Sequence, residues 1–380
     1  MARRLRVGVL YGGRSGEHEI SLRSAATVIG ALDPARYEVL PVAITKDGRW
    51  LTGPDSLRLL DEAQRTLSPA VEHGDEVLLS PVPGRNTLLR VAGGEPMPLD
   101  VMFPVLHGTF GEDGTIQGLL DLAGIPYVGA GVLASSAGMD KAVMKAVFGD
   151  AGLPGCRWIL VHADREPAEV VRTRVAEELG FPCFVKPCNL GSSVGVAKAR
   201  NPTELAAAVA QAGDYDPRVI VEEAIDAREL ECGILGNGNA EASVVGELIP
   251  SHEFYDYVDK YVDGKARIVI PAEIPGELAE AVRELAVRAF AAIDGSGLAR
   301  VDFFLERPTG RLLLNEINTM PGFTAVSQYP LLWKASGVPL PALVDRLVTL
   351  ALERHATRSA RRLSFSPAQP VSASSPASGR

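Results

Sequence analysis

The sequence of 380 residues lacks the features that mark membrane, nucleic-acid-binding and disulfide-rich proteins. No apolar run approaches the ~18 residues that a transmembrane helix requires. Basic residues are not in excess, because 38 Lys and Arg stand against 47 Asp and Glu, and the net charge of −9 disfavours a nucleic-acid surface. The four cysteines form no C-x-x-C pair and have no histidines at zinc spacing. The basic N-terminus leads into a run too short and glycine-rich for a secretory segment. We therefore expect a cytoplasmic protein that binds neither membrane nor nucleic acid.

The composition is that of a globular protein, since 46% of the residues are apolar and the length suits two or three domains. The first third alternates strand and helix patterns, which predicts a doubly wound parallel sheet. Predicted strands cover residues 5–11, 37–44, 101–106 and 125–128, with helices at 17–32 and 113–123 and with loops and a short ribbon at 52–98.

From residue 139 onward the rhythm changes to a mixture of short strands and longer helices. Predicted strands cover residues 158–161, 183–186, 194–198, 219–221, 229–235 and 242–249. Predicted helices cover residues 141–149, 168–179, 202–210, 276–293, 329–335 and 340–353, and a polar loop covers 251–266. The last residues, dominated by Ser, Ala, Pro and Arg, are typical of a disordered tail.

A predicted hairpin near the C-terminus carries the most specific signal. Side chains alternate faces along a strand, so Arg300 and Asp302 share one face, and Glu316 and Asn318 share one face of the next strand. A turn centred on Thr309 places Asp302 opposite Glu316 and Arg300 opposite Asn318. Two carboxylates and an amide oxygen suit magnesium. The alternative is a surface hairpin whose charges are solvated.

Glycines, serines and lysines suggest a phosphate site. Residues 189–195 join two predicted strands, and such a turn can expose consecutive backbone N–H groups. It is no Walker loop, because it lacks the G-K-[ST] ending and a following helix. Lys141 and Lys186 lie nearby in the predicted fold and supply charges suited to phosphate. An ordinary turn with solvated lysines is the alternative.

Three further segments are compatible with ligands. The strand at 219–221 ends in paired acids, typical either of a plain strand end or of a segment that brackets an adenine. Residues 11–21 form a strand, a glycine-rich turn and a helix start without G-x-G-x-x-G spacing, and Glu17 there would attract an ammonium group. Residues 107–115 form a second such turn at the ligand side of an open sheet. A helix-capping turn is the alternative for both.

Taken in order, these blocks resemble the D-alanine–D-alanine ligase family of the ATP-grasp superfamily. The matching stretches are residues 12–18, 107–118, 139–141, 186–187, 191–195, 254–257, 260–261, 300–302 and 316–322. The resemblance implies an α/β chain, α+β in its C-terminal half, with a doubly wound N-terminal domain followed by a two-subdomain ATP-grasp module. The implied divisions are a Rossmann-like substrate domain (1–130), a central ATP-grasp subdomain (131–222), a C-terminal ATP-grasp and metal-binding subdomain (223–355) and a disordered tail (356–380).

The resemblance also implies the site residues. ATP would be bound by Lys141, Lys186, Ser192, Ser193 and Lys260, with Glu222, Glu223 and Ile225 at the adenine and Glu229 at the ribose. Two Mg²⁺ or Mn²⁺ ions would be held by Asp302, Glu316 and Asn318. The two D-alanines would be bound by Glu17, His107, Arg300, Gly322, Ser327 and Gln328. The implied catalytic set is Glu17, Ser192, Lys260, Tyr261, Arg300 and Ser327.

The implied activity is the ATP-dependent joining of two D-alanines for peptidoglycan precursor synthesis, by a homodimer. The first D-alanine would form an acyl phosphate, and Arg300 with the Gly322 N–H would stabilise the oxyanion formed when the second amine attacks. Tyr261, with Glu17 and Ser192, would link the first substrate to a closing loop. Its presence favours an amine over D-lactate as acceptor.

Alternatives remain open at this point: a D-lactate or D-serine ligase, a nucleotide-binding protein without catalysis, and a dehydrogenase, which the missing dinucleotide fingerprint disfavours. Two positions depart from the family pattern. Val258-Asp259 adds negative charge beside Lys260. Cys188 is predicted to be an exposed thiol near the phosphates, reactive if its pKa is lowered there.

Overall fold

A computed structural model describes residues 3–53, 56, 60, 74–250 and 266–362, whose strands form three sheets. The first sheet and its helices comprise β1 (Leu5–Gly12), α1 (His18–Ala31), β2 (Tyr37–Ile44), β3 (Trp50–Thr52), β4 (Asp75–Leu79), β5 (Thr87–Arg90), β6 (Met97–Pro98), β7 (Val101–Val105) and α2 (Thr115–Ala123). The strand order is β6-β5-β4-β3-β2-β1-β7. β1 is parallel to β2 and β7, and β2 through β6 pair antiparallel. The predicted parallel core and ribbon are both present.

From Val7 onward β1 is apolar and buried, because both of its faces are covered. Val7, Val9 and Tyr11 enter one core with α1, while Leu10 enters a second core with Met102 on the opposite face. Such continuous apolar runs are typical of strands inside a parallel sheet.

The predicted strand at residues 125–128 is wrong. This segment makes only an isolated parallel bridge between Tyr127 and Met102, beside β7. Pro126 accepts a hydrogen bond from the Met102 N–H but has no N–H of its own to extend the ladder.

The second sheet follows two helices, α3 (Val132–Met139) and α4 (Lys141–Asp150). It contains β8 (Trp158–His162), β9 (Cys183–Pro187), β10 (Ala197–Ala199) and β11 (Arg218–Glu223), with α5 (Ala168–Glu178) and α6 (Pro202–Gly213) between them, in the order β10-β9-β11-β8. β10 begins three residues later than predicted, because the turns after β9 extend that far. α3 was not predicted, since its small residues carry almost no apolar periodicity.

The third sheet has the order β14-β13-β12-β15-β16. Its elements are β12 (Ala227–Gly236), β13 (Glu241–Ile249), β14 (Arg267–Val269), α7 (Gly276–Ala292), β15 (Gly297–Glu306), β16 (Leu312–Asn318), α8 (Gln328–Ala335) and α9 (Leu340–Ser359). β14 was not predicted. The predicted loop at 251–266 lies, except for Ala266, outside the described residues.

The predicted start of the disordered tail at residue 356 is wrong, because α9 continues through residue 359. Its last turns are polar and therefore showed no apolar pattern. They are held by side chains instead: Arg354 donates to the Gly129 carbonyl (2.8 Å), and Arg358 pairs with Asp121 (2.8 Å). Residues 363–380 of the predicted tail lie outside the described part.

The hairpin β15–β16 has the predicted pairing at its polar end, Arg300 opposite Asn318 and Asp302 opposite Glu316. Beyond Asp302 the register shifts by one, so that Phe303 faces Leu314. The turn is therefore one residue shorter than predicted, and a β-bulge at Asn315 compensates.

Among the described residues, no single helix is long and apolar enough to cross a membrane; α8 and α9 pass that test only together, as a pair bent by 104°.

Candidate active site

Two cavities, of about 590 Å³ and about 760 Å³, lie side by side and share a wall. The residues common to both are Lys141, Leu190, Gly191, Ser192, Arg300 and Glu316. The smaller cavity collects the predicted substrate residues Glu17, His107, Gly322, Ser327 and Gln328, together with Asn318. The larger collects Lys186, Ser193, Glu222, Glu223, Ile225, Glu229 and Asp302. Lys260 and Tyr261, and with them Val258 and Asp259, lie outside the described residues.

The β15–β16 hairpin supplies the Arg300 guanidinium and the Glu316 carboxylate to the shared wall, and Asp302 to the larger cavity. Arg300 donates from Nε and Nη2 to the two oxygens of Asp302, both at 2.7 Å. Burial alone would lower the pKa of Arg300, but Asp302 and Glu231 hold that pKa well above its usual value. Arg300 is therefore a permanent cation.

The predicted metal ligands form an oxygen patch. Asp302 and Glu316 are cross-strand partners, and the Asn318 Oδ1 accepts a hydrogen bond from the Met320 N–H at 3.0 Å. Within the described ranges there is no group of three or more His, Cys, Asp or Glu residues set to hold a metal ion. The patch consists of two carboxylates and one amide, and one of those carboxylates is shared with Arg300.

A buried ion cluster includes Lys186, one of the two lysines predicted to bind phosphate. Lys186 donates to Glu222 Oε2 (2.7 Å), and Lys145 pairs with Glu222 Oε1 (3.1 Å), with side chains only 6% and 3% exposed for Lys145 and Glu222. Burial opposes ionisation, but the two lysines lower the pKa of Glu222 to about 2. The Glu222 carboxylate is thus engaged by two lysines.

Lys145 is a site residue that sequence reasoning missed. It lies one helical turn after Lys141 on α4 and therefore on the same face, a spacing that could have indicated it. Its Nζ also donates to the Asn315 carbonyl at the hairpin bulge (3.2 Å). Glu223, in contrast, points to Arg157, whose Nε donates to it at 2.8 Å.

The loop after β9 carries strained backbone toward both cavities. Ser192 and Ser193 have φ of +52° and +58°, a left-handed backbone conformation that residues other than glycine rarely adopt. The Lys141 Nζ donates to the Leu190 carbonyl at 2.6 Å and fixes the loop against α4. The Ser192 hydroxyl donates to Glu17 and joins the loop to the first sheet.

The smaller cavity contains a second acid, Glu112, that the sequence placed only within a matching block. Its Oε1 accepts from the Gly108 N–H at 2.6 Å. Burial, and then the charge of Glu17, raise the pKa of Glu112 well above its usual value. The raised pKa favours the neutral, protonated form of the Glu112 carboxyl.

His107 lines this cavity with both ring nitrogens engaged by the protein. Nδ1 lies 3.1 Å from the Met320 carbonyl, and Nε2 lies 3.0 Å from the Ser24 hydroxyl. Burial lowers the pKa of His107 despite the nearby Glu17. The imidazole, whose lowered pKa favours its neutral form, connects α1 to the segment after β16 through these two hydrogen bonds.

Ser327 and Gln328 lie where α8 begins, and backbone N–H groups at a helix start favour a carboxylate. The Ser327 Oγ lies 2.7 Å from the Thr324 hydroxyl. A Cβ on Gly322 would lie 2.9 Å from the Ser327 Oγ, so a larger residue here would require the Ser327 hydroxyl to move.

The prediction of an exposed Cys188 thiol is wrong. Its side chain is 0% exposed, packed with Ala142 and Ile220. Burial, reinforced by Asp140, raises the pKa of Cys188 to about 12. The loop follows this residue, and the cysteine itself belongs to the core beneath it.

The chain matches two family models, "D-ala D-ala ligase N-terminus" over residues 6–130 and "D-ala D-ala ligase C-terminus" over residues 147–349. It is 48% identical over 353 residues to a D-alanine–D-alanine ligase of Geobacillus kaustophilus, covering 92% of this chain and 95% of that protein. A D-alanine–D-alanine ligase of Heliobacterium modesticaldum is likewise 48% identical, with the same coverage.

Solved structures are similar over nearly the whole chain. The D-alanine-D-alanine ligase from Coxiella burnetii has a TM-score of 0.82 at 36% identity, covering 94% of this chain and 97% of that one. The VanG D-Ala:D-Ser ligase from Enterococcus faecalis also has a TM-score of 0.82, at 34% identity, covering 92% of this chain and 100% of that one.

Proposed function

The chain belongs to the D-alanine–D-alanine ligase family, with the ATP-grasp fold, and is an ATP-dependent ligase that joins two D-alanines in peptidoglycan precursor synthesis; from this premise we propose how its residues carry out the reaction. The observation that carries the proposal is the wall shared by the two cavities. A carboxylate in the smaller cavity and the γ-phosphate of a nucleotide in the larger one would meet there, beside Arg300, Glu316 and Lys141.

ATP occupies the larger cavity in this proposal. The adenine lies along residues 222–225, and Glu229 meets the ribose hydroxyls. Lys141, Lys186 and the loop residues Ser192 and Ser193 bind the phosphates. The support is that all of these line one cavity, with backbone of the loop in a conformation that can present N–H groups.

The two D-alanines occupy the smaller cavity. Glu17, oriented by Ser192, binds the ammonium group of the first. The helix start at Ser327 and Gln328 binds the carboxylate of the second. His107 holds the cavity wall through its two hydrogen bonds rather than by direct contact with the charge of a substrate.

The reaction then proceeds in two steps. A carboxylate oxygen of the first D-alanine attacks the γ-phosphorus, ADP leaves, and an acyl phosphate forms. The amine of the second D-alanine attacks the acyl carbon, loses a proton, and phosphate leaves. Arg300, a permanent cation at the shared wall, and the Gly322 N–H stabilise the oxyanion.

The oxygen patch fits a divalent cation, because it offers hard ligands beside the proposed phosphates. Asp302, Glu316 and Asn318 would hold two Mg²⁺ or Mn²⁺ ions, which supply charge neutralisation for phosphoryl transfer. Lys260 and Tyr261 complete the proposal: Lys260 closes over the γ-phosphate, and Tyr261 joins Glu17 and Ser192.

We also propose a cytoplasmic homodimer. Leu78 and Leu89 face each other across β4 and β5 and are 59% and 37% exposed, which supplies an apolar surface for self-association. Sedimentation analysis of the protein and of L78E tests this: a dimer that L78E dissociates supports it, and a monomeric wild type contradicts it.

The decisive experiment measures ADP formation with ATP, Mg²⁺ and D-alanine, and identifies the dipeptide by mass. D-Serine and D-lactate are offered as second acceptors in parallel, since one similar structure is a D-Ala:D-Ser ligase. D-Alanyl-D-alanine as main product is expected. Nucleotide binding without D-alanine-dependent ADP formation would overturn the proposed mechanism.

A further inference from the structure

Three acids stand side by side across the middle of the third sheet. Glu231 on β12 is the cross-strand partner of Asp302 on β15, and Asp302 is the partner of Glu316 on β16. Glu229 and Glu231 alternate with apolar Leu230 along β12, the pattern of a strand with one polar face, and that signal could have indicated Glu231 from the sequence. Glu231 lines the larger cavity.

Arg300 lies between two of these acids. It donates to both oxygens of Asp302 at 2.7 Å, and its Nε lies 3.5 Å from Glu231 Oε1. All three side chains are largely buried, with exposures of 17% for Arg300, 14% for Asp302 and 6% for Glu231. In such surroundings a guanidinium without a counter-ion is costly.

In the proposed reaction Asp302 has two roles, as a metal ligand and as the counter-ion of Arg300. As a metal ligand it must turn its oxygens toward a cation, yet in this structure both oxygens are engaged by Arg300. Once Asp302 turns away, Arg300 needs another carboxylate that keeps it at the shared wall. Glu231 lies on the neighbouring strand, on the side of Asp302 opposite to Glu316.

We propose that Glu231 is a positioning residue, a second counter-ion that holds Arg300 in place whenever Asp302 is engaged by a metal–nucleotide complex. This proposal rests on the proposed function for the role of Asp302. Glu231 acts on the reaction through Arg300, whose Nε lies 3.5 Å from the Glu231 Oε1, and not on the reacting atoms.

The first test uses the protein without ligands, so that it does not depend on activity. Urea unfolding is measured for E231Q, D302N and the double variant. Either acid can hold Arg300, so each single variant is expected to lose little stability. The double variant removes both carboxylate partners of the guanidinium. The fold-increase in its unfolding equilibrium constant should therefore exceed the product of the fold-increases of the two single variants by about tenfold or more.

Repulsion between the two acids could also produce coupling, so the same cycle is repeated with R300M. If Arg300 is the shared partner, the coupling falls below about threefold in that background. Equal coupling in both backgrounds, or additive single effects with Arg300 present, would overturn the proposal. The matched control is a double-mutant cycle of D302N with E306Q, because Glu306 pairs with Arg311 at the far end of the hairpin. The stability effects of those two substitutions should be additive.

The second test is kinetic. E231Q should lower kcat about tenfold or more, with the KM values for ATP and D-alanine within about threefold and the melting temperature unchanged. A kcat within twofold of wild type would overturn the proposal. Wild-type enzyme runs in the same assay: if it forms no ADP with D-alanine, the proposed function fails, while the urea cycles still decide whether Glu231 and Asp302 share Arg300.

Discussion

The Ser192 hydroxyl donates a hydrogen bond to the Glu17 carboxylate, 175 positions earlier in the chain. The bond joins the strained loop after β9 to the start of α1. It therefore couples the loop of the larger cavity to the acid that we assign to the first D-alanine.

Replacing Ser192 with alanine should lower kcat/KM for D-alanine about tenfold to hundredfold, because a hydrogen bond to a charged group contributes about 1.5–3 kcal/mol. Steady-state kinetics with varied D-alanine checks this. The matched control is S193A, in the same backbone conformation, which should alter the KM for ATP instead. Equal effects of both variants on D-alanine would contradict the assignment of Ser192 to Glu17.

Glu316 is expected to be essential for turnover. E316Q keeps the side-chain shape but removes the charge from the shared wall, and it should lower kcat by orders of magnitude while the circular dichroism spectrum and melting temperature stay close to wild type. E306Q, at the far end of the same hairpin and outside the lining of both cavities, should retain full activity. Near wild-type turnover of E316Q would remove Glu316 from the metal set.

Glu112 should make the protein less stable as the pH rises. Its pKa is raised in the folded state, so above the ordinary carboxyl pKa the unfolded chain has released a proton that the folded protein still holds. E112Q retains an oxygen for the Gly108 N–H and removes this titration. Urea unfolding should show E112Q gaining stability relative to wild type from about pH 5 to about pH 7.5. A difference between E112Q and wild type that does not change over that interval would show that folding does not raise the pKa of Glu112.

Glu222 should act in the opposite direction. Its pKa is lowered to about 2, so its stabilising effect is complete above the ordinary carboxyl pKa and is lost as the pH falls toward 2. E222Q leaves Lys145 and Lys186 without their carboxylate and should cost about 3–5 kcal/mol at neutral pH. Its stability should also depend less on pH than that of wild type below about pH 4.5. An unchanged acid slope would exclude Glu222 as the titrating group.

The cysteines should be inert in the native protein. Cys156, Cys183, Cys188 and Cys232 are all buried, and burial raises the pKa of each. Titration with Ellman's reagent at pH 8 should detect no fast-reacting thiol in native protein and all four in denaturant. Rapid labelling of Cys188 in the native protein would contradict this prediction and would show that the thiol is exposed, as the sequence analysis expected.

The sequence predicted the polar end of the hairpin because alternation along two strands is a local property that needs only a turn between them. The bulge at Asn315 could not be predicted, since one extra residue in β16 offsets one fewer in the turn. Lys145 and Glu112 were missed for another reason. The spacing of Lys145 from Lys141 indicates only a shared helix face, and the partners of Lys145 and Glu112, Glu222 and Glu17, are distant in sequence and come near only in the packed structure.

The same logic explains the error at Cys188. A residue between a phosphate lysine and a glycine–serine loop has a polar neighbourhood in sequence, yet its side chain points into the core beneath the loop. The prediction of a strand at 125–128 failed because the apolar character of this segment reflects burial in the cores beside β7, where Ile125 and Tyr127 pack with Met102, and not a full ladder in the sheet.

The bulge at Asn315 also limits how this hairpin can change. Without the extra residue, Glu316 and Asn318 would rotate to the apolar face of β16, where leucines now pack. A single-residue deletion in this strand would therefore turn the polar side chains of the proposed binding surface toward the apolar core. Substitutions in the turn at 307–311 would leave the pairing of Arg300 with Asn318 and of Asp302 with Glu316 unchanged. Loop grafting and library design on this scaffold should vary the turn freely in composition and keep the length of β16 constant.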